Sequence, residues 1–401
     1  MTEWRNPKLS GRVVELDGIR GLAILLVVIW HLFGNGQIDG LRPGSWQAHL
    51  FLSLGFTWSG VDLFFVLSGF LIGGILYDAR NSENYFKTFY CRRVARIFPV
   101  YFVWFTLFMI GVYFAGSTSS APLRVIFNDD IPVWTYPLFL QNIAITLHRN
   151  WGGMWIAGTW SLAVEEQFYL LLPMLVRRSS KRVVTLIAVG SIVGAPLFRL
   201  THGSAPASLG PYTLLPSRAD ALGFGVLVAM ACRNEKVWAW LNAHSRWLLA
   251  AMLLIGCRLA LMLGHRVYVY GTGLSWLDAF YGLLLLLTLI HAGTIQTAFF
   301  RSRVLVKLGA LSYTVYLLHN GINMLLHFAI FGAGPAVHDW TSLVVTLLSL
   351  EIVIPVAALS WRYFEKPFIR WAHISFGYEQ VAETRRPSSI SVGVATPVTE
   401  S

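Results

Sequence analysis

Residues 16–36 read LDGIRGLAILLVVIWHLFGNG, an apolar run with Arg20 near its start and His31 near its end. A helix of that length crosses the ~30 Å hydrocarbon layer of a bilayer. Comparable blocks recur at 54–77, 97–116, 153–176, 183–200, 211–232, 247–264, 274–295, 308–331 and 341–362. They predict an all-α, polytopic membrane bundle of ten transmembrane helices. The transmembrane domain is expected over 16–371, after a cytoplasmic segment at 1–15. A polar, Ser/Thr/Val-rich stretch, 372–401, reads as a disordered cytoplasmic tail. Composition agrees, because only 13% of the 401 residues are charged and 55% are hydrophobic, about half the charged fraction of a soluble domain. The first run lacks a small-residue cleavage site and reads as a retained helix.

The net charge of +11 invites a nucleic-acid reading, which the positions of the charges exclude. With ten crossings, 23 of the 31 Lys and Arg residues fall on one side, in the clusters at Arg5–Arg12, Arg80–Arg96, Arg177–Arg182, Arg233–Arg246, Arg301–Lys307 and Arg362–Arg386. Only Arg42, Arg124, Arg149, Arg199 and Arg266 fall on the other. That asymmetry places both termini in the cytoplasm. An eleventh apolar block, IPVWTYPLFLQNIAITL at 131–147, would spoil it by crossing. It is short and carries Pro132, Pro137, Gln141 and Asn142, so it is expected to be re-entrant or interfacial. Cys91, Cys232 and Cys257 have no metal-ligand spacing, and no metal is expected.

Ionisable residues inside such a bundle need a reason. Eleven residues of helix advance ~16 Å and end ~20° from three full turns, so Arg20 and His31 share a face. In GTWSLAVEEQFYLLLP (158–173), Glu165 and Glu166 lie mid-span, and Ser161, Glu165 and Tyr169 share an i, i+4 face. In LGALSYTVYLLHNGIN (308–323), His319 sits twelve residues above Lys307, with Tyr316 and Asn320 beside it. His31, Glu165 and His319 thus arrive from three helices at one depth. Each alone reads equally well as an interhelical hydrogen-bonding group; together they read as a site. Arg92, Arg93 and Arg96 precede Pro99, where a helix start and guanidinium forks would suit phosphate; topogenic charge is the plain alternative. Gly69 and Gly73 form a weak close-packing signal. Asp62 lies toward the outer side, and Arg218 and Asp220 either pair with each other or line an outer entrance for a polar substrate.

The ordered series Arg20-x10-His31, GVDLFFVLSGFLI (60–72), RRVARIFPVY (92–101), WSLAVEEQFYLLLP (160–173), LSYTVYLLH (311–319) and FEKP (364–367) resembles the acyltransferase-3 family of membrane O-acyltransferases. The resemblance covers roughly 12–370. It implies a ten-helix core, acyl-CoA (acetyl-CoA foremost) as cytoplasmic donor, and a carbohydrate or glycosylated small molecule as acceptor, with the lipid bilayer as setting. It also ties Arg20, His31, Arg92, Arg93, Arg96 and Glu165 to activity, with Glu166 below them. On this reading the arginines clamp the phosphates of CoA, His31 is general base, and Glu165 orients it. His319, Tyr169 or Tyr316 would stabilise the oxyanion, and Asp62, Tyr169, Arg218, Asp220 and Tyr316 are candidate substrate contacts. The rival reading is a transporter or flippase of a glycan or lipid-linked precursor, with His and Glu as a proton relay.

Overall fold

A computed structural model describes residue 6 and residues 11–34, 54–118, 120–202, 209–262, 269–337 and 339–379. The predicted tail beyond 379 and the cations Arg5, Lys8, Arg42 and Arg266 lie outside these residues. Every regular element described is helical. The chain forms α1 (Val14–Ile29, continued by a π turn at Trp30–Gly34), α2 (Gly60–Ala79), α3 (Tyr85–Gly116), the short α4 (Gln141–His148), α5 (Trp160–Arg178) and α6 (Lys181–His202). It continues through α7 (Leu215–Ala231), α8 (Glu235–Ala243), α9 (Ser245–Leu261), α10 (Leu274–Ile290), α11 (Arg303–Phe331) and α12 (Trp340–Ser360). A π turn at Trp361–Glu365 leads into α13 (Lys366–Ser375).

Among the described residues, eight helical segments are long and apolar enough to cross a membrane, and a ninth joins them if α8 and α9, bent by 70°, count as one. The remaining predicted span, α5, forms as a 19-residue helix. Its Glu165, Glu166, Arg177 and Arg178 keep it out of that apolar class. Leu171, Leu186 and Leu254 are more than 60% exposed on the outside of the bundle, as lipid-facing side chains are. The 131–147 block does not form a span. It folds as a single turn at Val133–Thr135 followed by α4, which at eight residues is only ~12 Å long. Its buried amides donate internally: Gln141 Nε2 to the Thr159 carbonyl at 2.9 Å, and Asn142 Nδ2 to that of Thr213 at 3.1 Å, while Gln141 Oε1 has no partner.

One predicted boundary is corrected. The third span was expected to open near Pro99, yet α3 starts at Tyr85 and runs through that proline. Proline removes one backbone donor, and the surrounding helices tolerate the loss. Arg92, Arg93 and Arg96 therefore stand two to three turns inside a helix, away from any N-terminal amides.

Two glycine-mediated contacts set the geometry. A Cβ on Gly21 would meet the Leu305 carbonyl oxygen at 1.9 Å, and one on Gly309 would meet that of Asp17 at 2.0 Å. So α1 and α11 touch backbone to backbone, running parallel. The second contact joins α2 to α7, where a Cβ on Gly69 would lie 2.1 Å from the Leu222 carbonyl oxygen. The close-packing signal at Gly69 and Gly73 is thus used.

Candidate active site

From the Gly21/Gly309 contact, ten residues along each parallel helix lead to His31 and His319, both ~15 Å above it. The two imidazoles meet edge to face, ring centroids 4.9 Å apart. Each ring is tied to its own helix: His31 Nδ1 to the Val27 carbonyl and His319 Nδ1 to the Val315 carbonyl, both at 2.9 Å. A carbonyl can only accept, so both Nδ1 atoms carry hydrogen and both Nε2 atoms of the neutral rings hold a lone pair. His319 Nε2 is buried and has no protein partner. His31 falls in the π turn that ends α1, an irregularity frequent at functional sites.

The histidines line a cavity with Trp104, Trp155, Tyr316 and Asn320. Trp104 and Trp155 stack at 3.9 Å, against Gly321, where a Cβ would strike both rings. Trp155 Nε1 donates to the Trp104 carbonyl, whereas Trp104 Nε1 is buried without a partner. Tyr316 gives its one hydroxyl proton to the Gly158 carbonyl and also bonds Ser161 at 2.5 Å.

Glu165 is not beside His31, contrary to the expected dyad. Its Oε1 accepts from Ser68 at 2.5 Å and its Oε2 from Tyr169 at 3.2 Å, while Tyr169 also reaches Ser68 at 3.2 Å. The i, i+4 spacing that joined Glu165 to Tyr169 turns the carboxylate toward α2 and the arginines. Arg20 and Arg93 lie within electrostatic reach of it, and Arg93 stands over the Tyr169 ring at 5.7 Å. Glu166, on the next face, has a buried, unpartnered Oε1.

The arginines divide into two groups. Arg20, Arg93 and Arg96 crowd one another. Among the described residues, Arg93 and Arg96 have no ion pair, and Arg20 has only Asp17 at 3.7 Å. Asp17, Glu165 and Glu365 are carboxylates in electrostatic reach of this cluster. Arg92 is used differently: its Nε donates to the Phe376 carbonyl at 2.7 Å and its guanidinium covers the Tyr378 ring. Burial pushes the Tyr378 phenol up, and Arg92 and Arg93 pull it back. Arg92 therefore fastens the chain beyond α13 to α3.

The predicted outer contacts are also corrected. Asp62, Arg218 and Asp220 are 0%, 1% and 0% exposed, so they line no entrance. Nor do Arg218 and Asp220 pair, since residues two apart on a helix point ~200° apart. Arg218 pairs with Asp62 of α2. Asp220 pairs with Arg199 of α6 at 2.7 Å, and Ser275 bridges both. Arg199, expected on the outer surface, is buried. Asp278 completes the cluster, close to Asp62, Asp220 and Arg218. Sequence reading missed Arg199, Asp278, Ser68, Trp104 and Trp155. For Arg199, its place before the end of a 22-residue helix was the available signal.

No group of three His, Cys, Asp or Glu residues suited to a metal ion occurs among the described residues. No solved structure matches the chain. Among curated relatives, "Putative O-acetyltransferase SACOL0978" of Staphylococcus aureus (strain COL) is 26% identical over 88% of this chain and 56% of its own length. O-acetyltransferase OatA of Staphylococcus aureus (strain NCTC 8325 / PS 47) is 24% identical over 90% of this chain and 58% of its own. The chain thus spans a little over half the length of these relatives. The model of the acyltransferase-3 family, described as an acyltransferase domain, matches residues 13–362, from the start of α1 to the π turn after α12, and the chain belongs to that family.

Proposed function

We propose that the protein is a multi-pass O-acyltransferase of the inner membrane, moving an acetyl group from acetyl-CoA to a hydroxyl of a carbohydrate or glycosylated acceptor. The observation that carries this reading is the His31–His319 pair in its cavity, on the helix whose other end brings Arg20 to an anion-receptive cluster. The basic end faces the cytoplasm, where acyl-CoA is available. Arg20, Arg93 and Arg96 receive the phosphates, and the pantetheine arm follows α1 for the ~16 Å to His31.

At that depth, His31 Nε2 takes the proton from the acceptor hydroxyl as its oxygen bonds to the thioester carbonyl carbon. The carbon–sulfur bond breaks, and the imidazolium returns the proton to the departing thiolate. The Val27 carbonyl supports the imidazolium through Nδ1–H, a role the sequence had suggested for Glu165. His319 fixes the plane of the His31 ring by its edge contact. The hydroxyl protons of Tyr169 and Tyr316 are already given to protein acceptors, which leaves Trp104 Nε1–H and the second Nδ2–H of Asn320 as donors for the developing oxyanion.

The test is thiol release from acetyl-CoA by the purified protein with candidate glycan acceptors. The wild type is expected to release CoA and acetylate the acceptor. His31→Ala is expected to lose transfer by more than a hundredfold while still binding CoA. Movement of a glycan across the bilayer with no thiol released would replace this reading with transport, and full transfer by His31→Ala would remove the assigned base.

A further inference from the structure

We propose that Glu165, held by Ser68 and Tyr169, receives an amide N–H of the pantetheine arm, which makes Glu165 and Ser68 donor-binding residues. This rests on the acyl-CoA reading above and adds a contact along the arm. Glu165 stands between the two parts of the site, in reach of Arg20 and Arg93 on one side and of Tyr316, which lines the histidine cavity, on the other. It does not touch His31. Like Ser68, it retains accessible surface although packed helices enclose it. That surface is what a ligand lying between the helices would reach.

The count of hydrogen bonds points the same way. A carboxylate offers about four acceptor positions. Ser68 fills one on Oε1 and Tyr169 one on Oε2, which leaves positions open on both oxygens. The pantetheine arm carries secondary amides between its phosphate end and its sulfur. Those N–H groups lose water on entering the passage and need acceptors there. A carboxylate part-way between the anion receptor and the histidines meets that need, and the Ser68–Glu165–Tyr169 triangle fixes its direction.

The experiment compares acetyl-CoA with two analogues, each having one pantetheine amide N–H replaced by an ester oxygen. Wild type, Glu165→Gln and Ser68→Ala are assayed with all three. For the wild type, one analogue is expected to raise KM about tenfold or more, as loss of a hydrogen bond to a charged group does, with kcat changing less. Glu165→Gln is expected to raise KM for acetyl-CoA similarly and to lose the discrimination between acetyl-CoA and that analogue; Ser68→Ala is expected to weaken it. Equal KM for all three donors in the wild type overturns the inference while leaving the acyltransferase reading intact. So does a Glu165→Gln defect confined to kcat and equal for every donor. No thiol release from acetyl-CoA by the wild type would take both down. If Glu165→Gln fails to fold, Ser68→Ala carries the assignment, and unchanged discrimination in that variant overturns it.

Discussion

Gly309→Ala tests whether the close contact of α1 and α11 aligns the two histidines. The added Cβ would sit 2.0 Å from the Asp17 carbonyl oxygen and 3.2 Å from the Gly21 nitrogen. Carbon and oxygen approach to about 3.3 Å even in favourable C–H···O contacts, so α1 and α11 must part locally by at least about 1.3 Å. Neither contact is with a flexible side chain, so rotamer change cannot relieve it. Overpacking of this kind costs about 1–3 kcal/mol. Ten residues up, the imidazoles are 4.9 Å apart between centroids, and a shift of that size at reacting groups is worth about a hundredfold in rate. The assay is acetyl transfer together with thermal unfolding in detergent. The expected result is kcat down by about two orders of magnitude, with KM for acetyl-CoA moving less because Arg93 and Arg96 stand on α3, away from the separated pair. Gly190→Ala, whose Cβ meets nothing within 4 Å, should leave both readouts unchanged. Wild-type kcat and stability in Gly309→Ala would refute the argument that this contact sets the site.

The two kinds of arginine should separate kinetically. Arg93→Gln and Arg96→Gln are expected to raise KM for acetyl-CoA at least tenfold, whereas Arg92→Gln, a variant of the residue that holds the Phe376 carbonyl, should change it less than threefold. Titration calorimetry with CoA checks the order, and equal losses in all three would return Arg92 to the donor site. In the far cluster, Asp220→Asn leaves Arg199 buried without its carboxylate. A loss of about 3–5 kcal/mol is expected, read as a lowered unfolding temperature. The double variant Arg199→Met/Asp220→Asn should recover part of it, and no recovery would mean that the pair is not coupled.

The fold was legible where hydropathy and charge acted alone. Block lengths gave the long helices, and the distribution of Lys and Arg indicated that 131–147 does not cross. It could not give α3 its start, because Pro99 is a breaker in isolation and is carried here by tertiary packing. For the site, helical rise put His31 and His319 at one depth, and they meet because their helices run parallel from a common contact. Phase fixes which side of its own helix a residue occupies and says nothing of which helix stands there. That is why Tyr169 was found beside Glu165 while Ser68, supplied by α2, was not. It is also why Arg218 and Asp220, two residues apart, found partners on separate helices.

Buried charge alone does not identify function in this bundle, and the two polar regions show what does. Arg199 meets Asp220, Ser275, Ser217 and the Gly271 carbonyl, and Arg218 meets Asp62. The four charged side chains have essentially no accessible surface, so they serve to hold α2, α6, α7 and α10 together. Arg20, Arg93, Arg96, Glu165 and His31 also stand among the helices, yet each keeps accessible surface. Their hydrogen-bonding capacity is only partly used by the protein. A charge held in a low-dielectric interior is costly unless something solvates it. In the first region paired side chains do much of this, although Arg218 Nε and Nη1 stay buried without partners. In the second, the function proposed above assigns that role to the acyl donor.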